Sequence, residues 1–365
     1  MTSAIARLND FGQSPWYDNI TRTLVRGGGL ARLLEEDGVR GVTSNPTIFD
    51  KAIAGGEGYD DQLLELHQQG VGAEDAFWAL AVDDIGVGAD LLRPIYERLD
   101  RGDGFISIEV SPLLAHDTNA TIEQAAALFK RLGRPNILIK IPATLEGIRA
   151  IEETIAAGIN VNVTLIFSLD RHGAVIEAYL RGLERFVAGG GDPGGVSSVA
   201  SFFVSRVDTE TDKRLPDDSP LRGKAAVANA KLAYALFRER FAGARWDALA
   251  SKGAKLQRPL WASTSTKNPA YSPTLYVDSL IGPDTVNTLA PASIDALHHG
   301  DAHLAPKAVM EDLDGARQVM TDLAAAGVDF DDVTATLERE GVDSFAQSYK
   351  DLVATLEKRT AEIAA

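Results

Sequence analysis

Asn136-Ile137-Leu138-Ile139-Lys140-Ile141-Pro142-Ala143-Thr144 is the stretch that decides the architecture. It is short, apolar and rich in β-branched residues. It opens after Gly133 and Pro135 and leads into a segment with apolar residues at helical spacing, Ile148, Ile151 and Ile155. That is a strand, a turn and a helix. Lys140 is out of place, an ammonium inside what reads as a buried strand. Burial disfavours the charged form and draws a lysine down from its ordinary pKa of about 10.4 towards neutrality. A neutral amine is a nucleophile. The alternative is a lysine held by a partner or snorkelling at the strand end.

The same alternation continues on both sides. Strand-like runs occupy 15–18, 39–45, 104–110, 137–141, 160–167, 196–203, 259–263 and 285–289, eight in all. Between them lie amphipathic stretches such as 73–99, 121–132 and 225–241. In the second of these Thr121 reads as the N-cap, with Gln124 three residues on and Gly133 just past the end. Eight strands with intervening helices predict a closed (β/α)8 barrel, a TIM barrel, in a single domain covering 1–365. A doubly wound sheet is the second choice. Stretches 187–195 and 209–222 read as loops. After the eighth strand, residues 293–365 form a mainly helical extension. Its last helix, 343–363, carries Phe345, Tyr349, Leu352 and Leu356 on one face and is expected to pack on the barrel.

Composition narrows the function. A chain of 365 residues with 45% hydrophobic and 24% charged residues can bury a large core. It has no cysteine, which removes disulfides, thiolate zinc sites and cysteine nucleophiles. Nothing of signal-peptide type precedes Trp16, so a cytoplasmic chain is expected. A net charge of −16 with no visible basic patch disfavours nucleic acid and membrane surfaces as partners. Monomer and homodimer both stay open.

Three weak motifs fall away. Gly189, Gly191 and Gly194 fit G-x-G-x-x-G, but a helix precedes them and a strand follows, the reverse of a dinucleotide turn. Gly223-Lys224 is followed by Ala225 where a phosphate loop needs a hydroxyl. His299 and His303 are four apart, yet Gly300 separates them and no carboxylate motif accompanies them, so solvated loop histidines are expected. No metal and no cofactor is predicted.

Reading the strands at period two gives a stronger signal, because residues of one parity share a face. Asn160, Asn162 and Thr164 alternate with Val161, Val163 and Leu165; Ser107 and Glu109 alternate with Ile106, Ile108 and Val110. Leu138 and Lys140 share a parity, with isoleucines on the other. In a barrel this puts Glu109, Lys140, Asn162 and Thr164 inside, near the carboxyl ends of three adjacent strands, where such barrels keep their active sites. An acid, an amine, an amide and a hydroxyl in one cavity point to catalysis.

The chain also resembles a known family, the transaldolases of the pentose phosphate pathway, which are class I aldolase-type (β/α)8 barrels. Six segments carry the likeness: Trp16-Tyr17-Asp18, Thr43-Ser44-Asn45-Pro46, Ile108-Glu109-Val110-Ser111, Ile137 to Thr144, Gly158 to Leu165, and Ser201-Phe202-Phe203-Val204-Ser205-Arg206. The likeness extends over nearly the whole chain. The resemblance implies that Lys140 forms a Schiff base with a ketose carbonyl, that Glu109 and Thr164 hold a catalytic water, and that Asp18 takes the proton of the C4 hydroxyl. The substrate-binding set it implies is Asn45, Asn162, Ser201, Phe203, Arg206, Ser263 and Lys267. The substrates it implies are sedoheptulose 7-phosphate, fructose 6-phosphate, glyceraldehyde 3-phosphate and erythrose 4-phosphate, with no cofactor.

One departure lies in the seventh strand. Many members carry a second phosphate-binding arginine soon after an Ala-Ser pair, but here the sequence runs Ala262-Ser263-Thr264-Ser265-Thr266-Lys267. The role passes to Lys267, which serves phosphate as a point charge without the guanidinium fork. Two other readings are a fructose-6-phosphate aldolase and a sugar-phosphate-binding barrel without catalysis. Those aldolases place glutamine at the position of Glu109 and tyrosine at that of Phe203. A binding protein has no need of a desolvated amine.

Overall fold

The computed structural model describes residues 3–55, 58–300 and 302–364. Eight strands run β1 (Gln13–Tyr17), β2 (Gly41–Val42), β3 (Phe105–Glu109), β4 (Ile137–Pro142), β5 (Val161–Ile166), β6 (Ser198–Phe203), β7 (Arg258–Ala262) and β8 (Thr285–Leu289). Each pairs in parallel with its neighbours, and β8 returns to β1, so the sheet closes as a TIM-type barrel in sequence order. The doubly wound alternative is excluded by that closure.

Residues that face the surrounding helices are fully buried aliphatics, among them Ile106, Ile139, Val161 and Val163. Removing a buried aliphatic side chain of this size costs about 2 to 5 kcal/mol, which holds the strand parity in place. β2 is shorter than the predicted run 39–45. Thr43 N still donates to Tyr17 O, but Ser44 turns its hydroxyl to Ser107 O, and Asn45 caps the helix Pro46–Ala54. Gly41 is needed where it stands, since a Cβ there would overlap the Trp16 indole of β1.

Two helix readings are corrected. The helix predicted over 121–132 spans Thr118–Leu132, and its N-cap is Asp117, whose carboxylate accepts from Ala120 N at 2.9 Å. Thr121 instead donates to Leu114 O, and Gln124 accepts from Ser111 N. Gly133 does end this helix in the left-handed region, with φ 58°. The last helix begins at Phe330, well before residue 343, and runs to Ala364. Gly341 does not break it, because it lies where the helix passes against Leu165 at the end of β5. Phe345, Tyr349, Leu352 and Leu356 are all buried. No described helix is long and apolar enough to cross a membrane.

His172, on the helix Leu169–Ala188, is fully buried with its ring edge against Phe202. Neither ring nitrogen has a hydrogen-bond partner, and burial pushes its pKa down to about 4. The folded state therefore prefers the neutral ring. That preference stabilises the protein fully above the unfolded pKa of about 6.5, and the gain disappears as pH falls towards 4. His172→Leu should remove this dependence. Denaturant titrations between pH 7 and pH 4 should show wild type losing about 3 kcal/mol more than the variant. Parallel losses in the two proteins would mean that His172 finds a partner for its charged form.

Candidate active site

Strand register brings the polar interior residues to one level. Glu109 of β3 is opposite Lys140 of β4, and Lys140 is opposite Asn162 of β5. Lys140 Nζ donates to Glu109 Oε2 and to the Ser44 carbonyl, both at 3.2 Å. Lys140 and Glu109 are 5% and 6% exposed, so the two charges meet almost out of water. The buried lysine is thus a partnered one. Burial raises the pKa of Glu109, with Lys140 opposing the rise and the Asp18 charge adding to it. A carboxylate pushed towards its protonated form is well placed to take the proton of the ammonium beside it.

Of these, Lys140 reaches the wall of a cavity of about 630 Å³ at the carboxyl ends of the strands, with Glu109 and Asn162 behind it. Asp18 lies on its wall, just past β1, where its N–H donates to Leu289 O. It is not in a helix's first turn, since the next helix, Arg22–Arg26, is capped by Thr21. Thr43 Oγ donates to Asp18 Oδ1 at 2.7 Å and fixes the carboxylate's direction. Thr164 is opposite Pro142, and its buried hydroxyl lines the cavity without a protein partner. After it Leu165 has φ 59° and the ladder to β6 shifts, a bulge that ends the strict alternation.

The expected sugar-binding residues divide into two groups. Asn162 is wholly buried beneath the cavity, donating to Ser107 Oγ and accepting from Ser201 Oγ at 2.7 Å, so it braces Ser201 from below. Ser201 and Asn45 are on the cavity wall. The Asn45 side-chain oxygen accepts from Ile48 N as a helix cap, which leaves its NH₂ to face the cavity.

Farther out, Phe203 packs at a tilt against Phe167 and carries the Arg206 guanidinium 5.3 Å above its ring. Burial lowers the pKa of Arg206, opposed by the Asp18 charge, and no carboxylate pairs with it among the described residues. Ser263, itself at φ 56°, shares a hydrogen bond with Ser205 beside Arg206. Lys267 lies on the exposed rim. Arg258, the other cation of the seventh strand, stands at the opposite end of the barrel, paired with Asp103.

Cavity residues that the sequence did not single out include Thr43, Lys51 and Phe345. Lys51 follows from the helix that Asn45 caps, and Phe345 comes from the last helix, its ring 5.5 Å from Lys140 Nζ. Among the described residues, no group of three or more His, Asp or Glu side chains could hold a metal ion. His299 and His303 do not share a helical turn, because the helix Pro291–His299 ends at Gly300. His299 bonds instead to the Asp295 carbonyl of its own helix.

The profile of the family described as "Transaldolase/Fructose-6-phosphate aldolase" matches residues 15–356. The chain belongs to this family. It is 50% identical to a transaldolase of Thermobifida fusca over 359 residues, covering 97% of each chain. It is 49% identical to a transaldolase of Saccharopolyspora erythraea over 364 residues, with 98% of each covered. Against transaldolase 2 of Streptomyces coelicolor the identity is 46% over 370 residues. Full-length likeness at this level makes the chain an enzyme of the same kind, a transaldolase.

Thr43 provides a test of the geometry. Thr43→Val keeps the shape but removes the hydrogen bond that directs Asp18, and should lower kcat by about tenfold, the worth of one such bond, with no change in thermal unfolding. Undiminished kcat would mean that Asp18 is directed by its backbone alone.

Proposed function

We propose that this enzyme transfers a dihydroxyacetone unit from sedoheptulose 7-phosphate to glyceraldehyde 3-phosphate through an imine on Lys140. The products are erythrose 4-phosphate and fructose 6-phosphate, a step of the pentose phosphate pathway. The observation that carries the reading is the buried Lys140–Glu109 pair, 3.2 Å apart, whose lysine opens into a cavity that Asp18 and Thr164 also line.

Glu109 takes a proton from the ammonium, and the free amine adds to the ketose C2 carbonyl. Glu109 then returns a proton to the departing hydroxyl, aided by a water that Thr164 helps to hold, and water leaves as the iminium forms. Asp18 removes the proton of the C4 hydroxyl. The C3–C4 bond breaks, its electron pair passes to the iminium, and the aldose phosphate departs. The enamine left on Lys140 attacks the acceptor aldehyde, and hydrolysis of the new imine frees the product. Asn45, Ser201 and, through Ser201, Asn162 orient the sugar hydroxyls. Phe203 forms an apolar wall, and Arg206, Ser263 and Lys267 receive the phosphate. On this reading the whole chain acts as one barrel domain in the cytoplasm, with residues 293–365 as its extension.

Borohydride reduction with fructose 6-phosphate, followed by peptide mass analysis, should find a three-carbon adduct on Lys140 alone. An adduct on another lysine, or none, would overturn the mechanism. The phosphate assignment has its own test. Arg206 is largely buried without a carboxylate partner, so Arg206→Ala should cost about 2 to 5 kcal/mol in kcat/KM for fructose 6-phosphate. The exposed Lys267, replaced by alanine, should cost less than about 1 kcal/mol. Neither change should alter the rate on unphosphorylated fructose; an equal loss there would show that the residue does not serve the phosphate.

A further inference from the structure

Among the described residues Phe345 is the one aromatic residue of the cavity wall supplied from outside the barrel and its βα loops. It is 6% exposed, and its ring stands 5.5 Å from Lys140 Nζ. The helix that carries it, Phe330–Ala364, is fastened on both sides of the barrel mouth. On one side Asp332 pairs with Arg214 at 2.8 Å and Glu338 with Arg171 at 3.0 Å. On the other, Thr47 donates to Ser348 Oγ, Tyr349 donates to Glu74 Oε1, and Arg359 pairs with Asp60 at 2.7 Å. The Tyr349 ring also packs on Phe77 and Trp78. Between these anchors Gly341 lets the helix lie against Leu165, next to Thr164. Phe345 is therefore held over the reacting nitrogen by a fixed element.

We propose that Phe345 decides between transfer and hydrolysis, by shielding the imine on Lys140 from water until an acceptor aldehyde arrives. The proposal rests on the Schiff-base reading above. Once the C3–C4 bond has broken, the enamine has two fates. It can attack an aldehyde, forming a new C–C bond. Otherwise the proton held by Asp18 returns to C3, water adds to C2, and the C–N bond breaks with a proton passing to nitrogen. That second route regenerates the lysine amine and frees dihydroxyacetone, taking back the one water that imine formation released, so that no water is consumed over the whole turnover. A phenyl ring has no group that can order a water molecule, and its negative face suits the cationic iminium. It thus holds back the second route while leaving the first open to an acceptor that brings its own contacts.

The test uses Phe345→Leu and Phe345→Tyr in the full-length enzyme. Free dihydroxyacetone released from fructose 6-phosphate is measured beside transfer to an acceptor aldose phosphate, and Lys140 is trapped with borohydride in each protein. Both variants should still label Lys140, and the ratio of release to transfer should rise by about tenfold or more, in the leucine variant because a desolvated cation–π contact is lost and in the tyrosine variant because its hydroxyl can order a water beside the imine. The tyrosine variant keeps the ring's packing and carries the test if the leucine variant does not fold. Label on Lys140 with an unchanged ratio in the variants overturns the role of Phe345, and so does an equal fall in release and transfer, which is what a loosened helix would produce. Absence of label from wild-type Lys140 overturns the Schiff-base reading beneath it.

Discussion

Lys140 and Glu109 are opposite charges held 3.2 Å apart with almost no exposure to water. Each would be strongly disfavoured in such a place alone, and removing one partner of a buried pair typically destabilises by about 3 to 5 kcal/mol. Their surroundings follow from that constraint. β3 and β4 must stay in the register that sets Glu109 opposite Lys140, because a slip of one strand by one residue would turn its charge into the aliphatic layer between strands and helices and leave the other unpaired. The Ser44 carbonyl accepts a further hydrogen bond from Nζ, and the Phe345 ring covers it from the mouth. In the mechanism proposed above chemistry and stability lean on the same contact, a proton passing between the two groups converting a structural pair into a reactive amine.

Strand order and interior parity were legible in the sequence because both are periodic. Isoleucines flanking Lys140 and the Asn162/Thr164 alternation state which face each residue takes, whatever the rest of the chain does. Features fixed by competition between equal local options were not. Thr121 with Gln124 has the form of a capping box, yet Asp117 lies earlier and captures the helix start, which frees Thr121 and Gln124 to brace the loop before it. Leu165 reads as one more apolar strand residue and is instead the pivot of a bulge. Lys51 and Phe345 were invisible as site residues, since an amphipathic face tells that a helix packs and says nothing about which part of the barrel it packs over. Arg258 and Lys267 flank the same strand, and only its direction tells that one is at the foot of the barrel and the other at its mouth.

Charge is unevenly placed. The chain carries −16 overall, while among the described residues the cavity wall presents Lys140, Arg206, Lys51 and Lys267 alongside one carboxylate, Asp18. Beyond a Debye length of about 8 Å the excess anionic surface is screened at physiological salt, so an approaching phosphate meets chiefly the local cations at the mouth. Arg206 combines its charge with the Phe203 face beneath it, which fixes the guanidinium plane before any ligand arrives.

The helix that bears Phe345 reaches its place from far along the chain: Thr47 and Ser348, which join across the mouth, are 301 residues apart. Loop-closure entropy grows only with the logarithm of length, each doubling adding about 0.6 kcal/mol, so a remote segment makes nearly as stable a wall as a nearby one. Kinetically the two differ, because contacts between distant residues are slow to form. Seven of the eight strand pairings join neighbours in sequence, whereas the β1–β8 closure and the roof over Lys140 both need the ends of the molecule to meet. On refolding, secondary structure should return ahead of a competent cavity, and recovery of activity is then the clock for the final docking step.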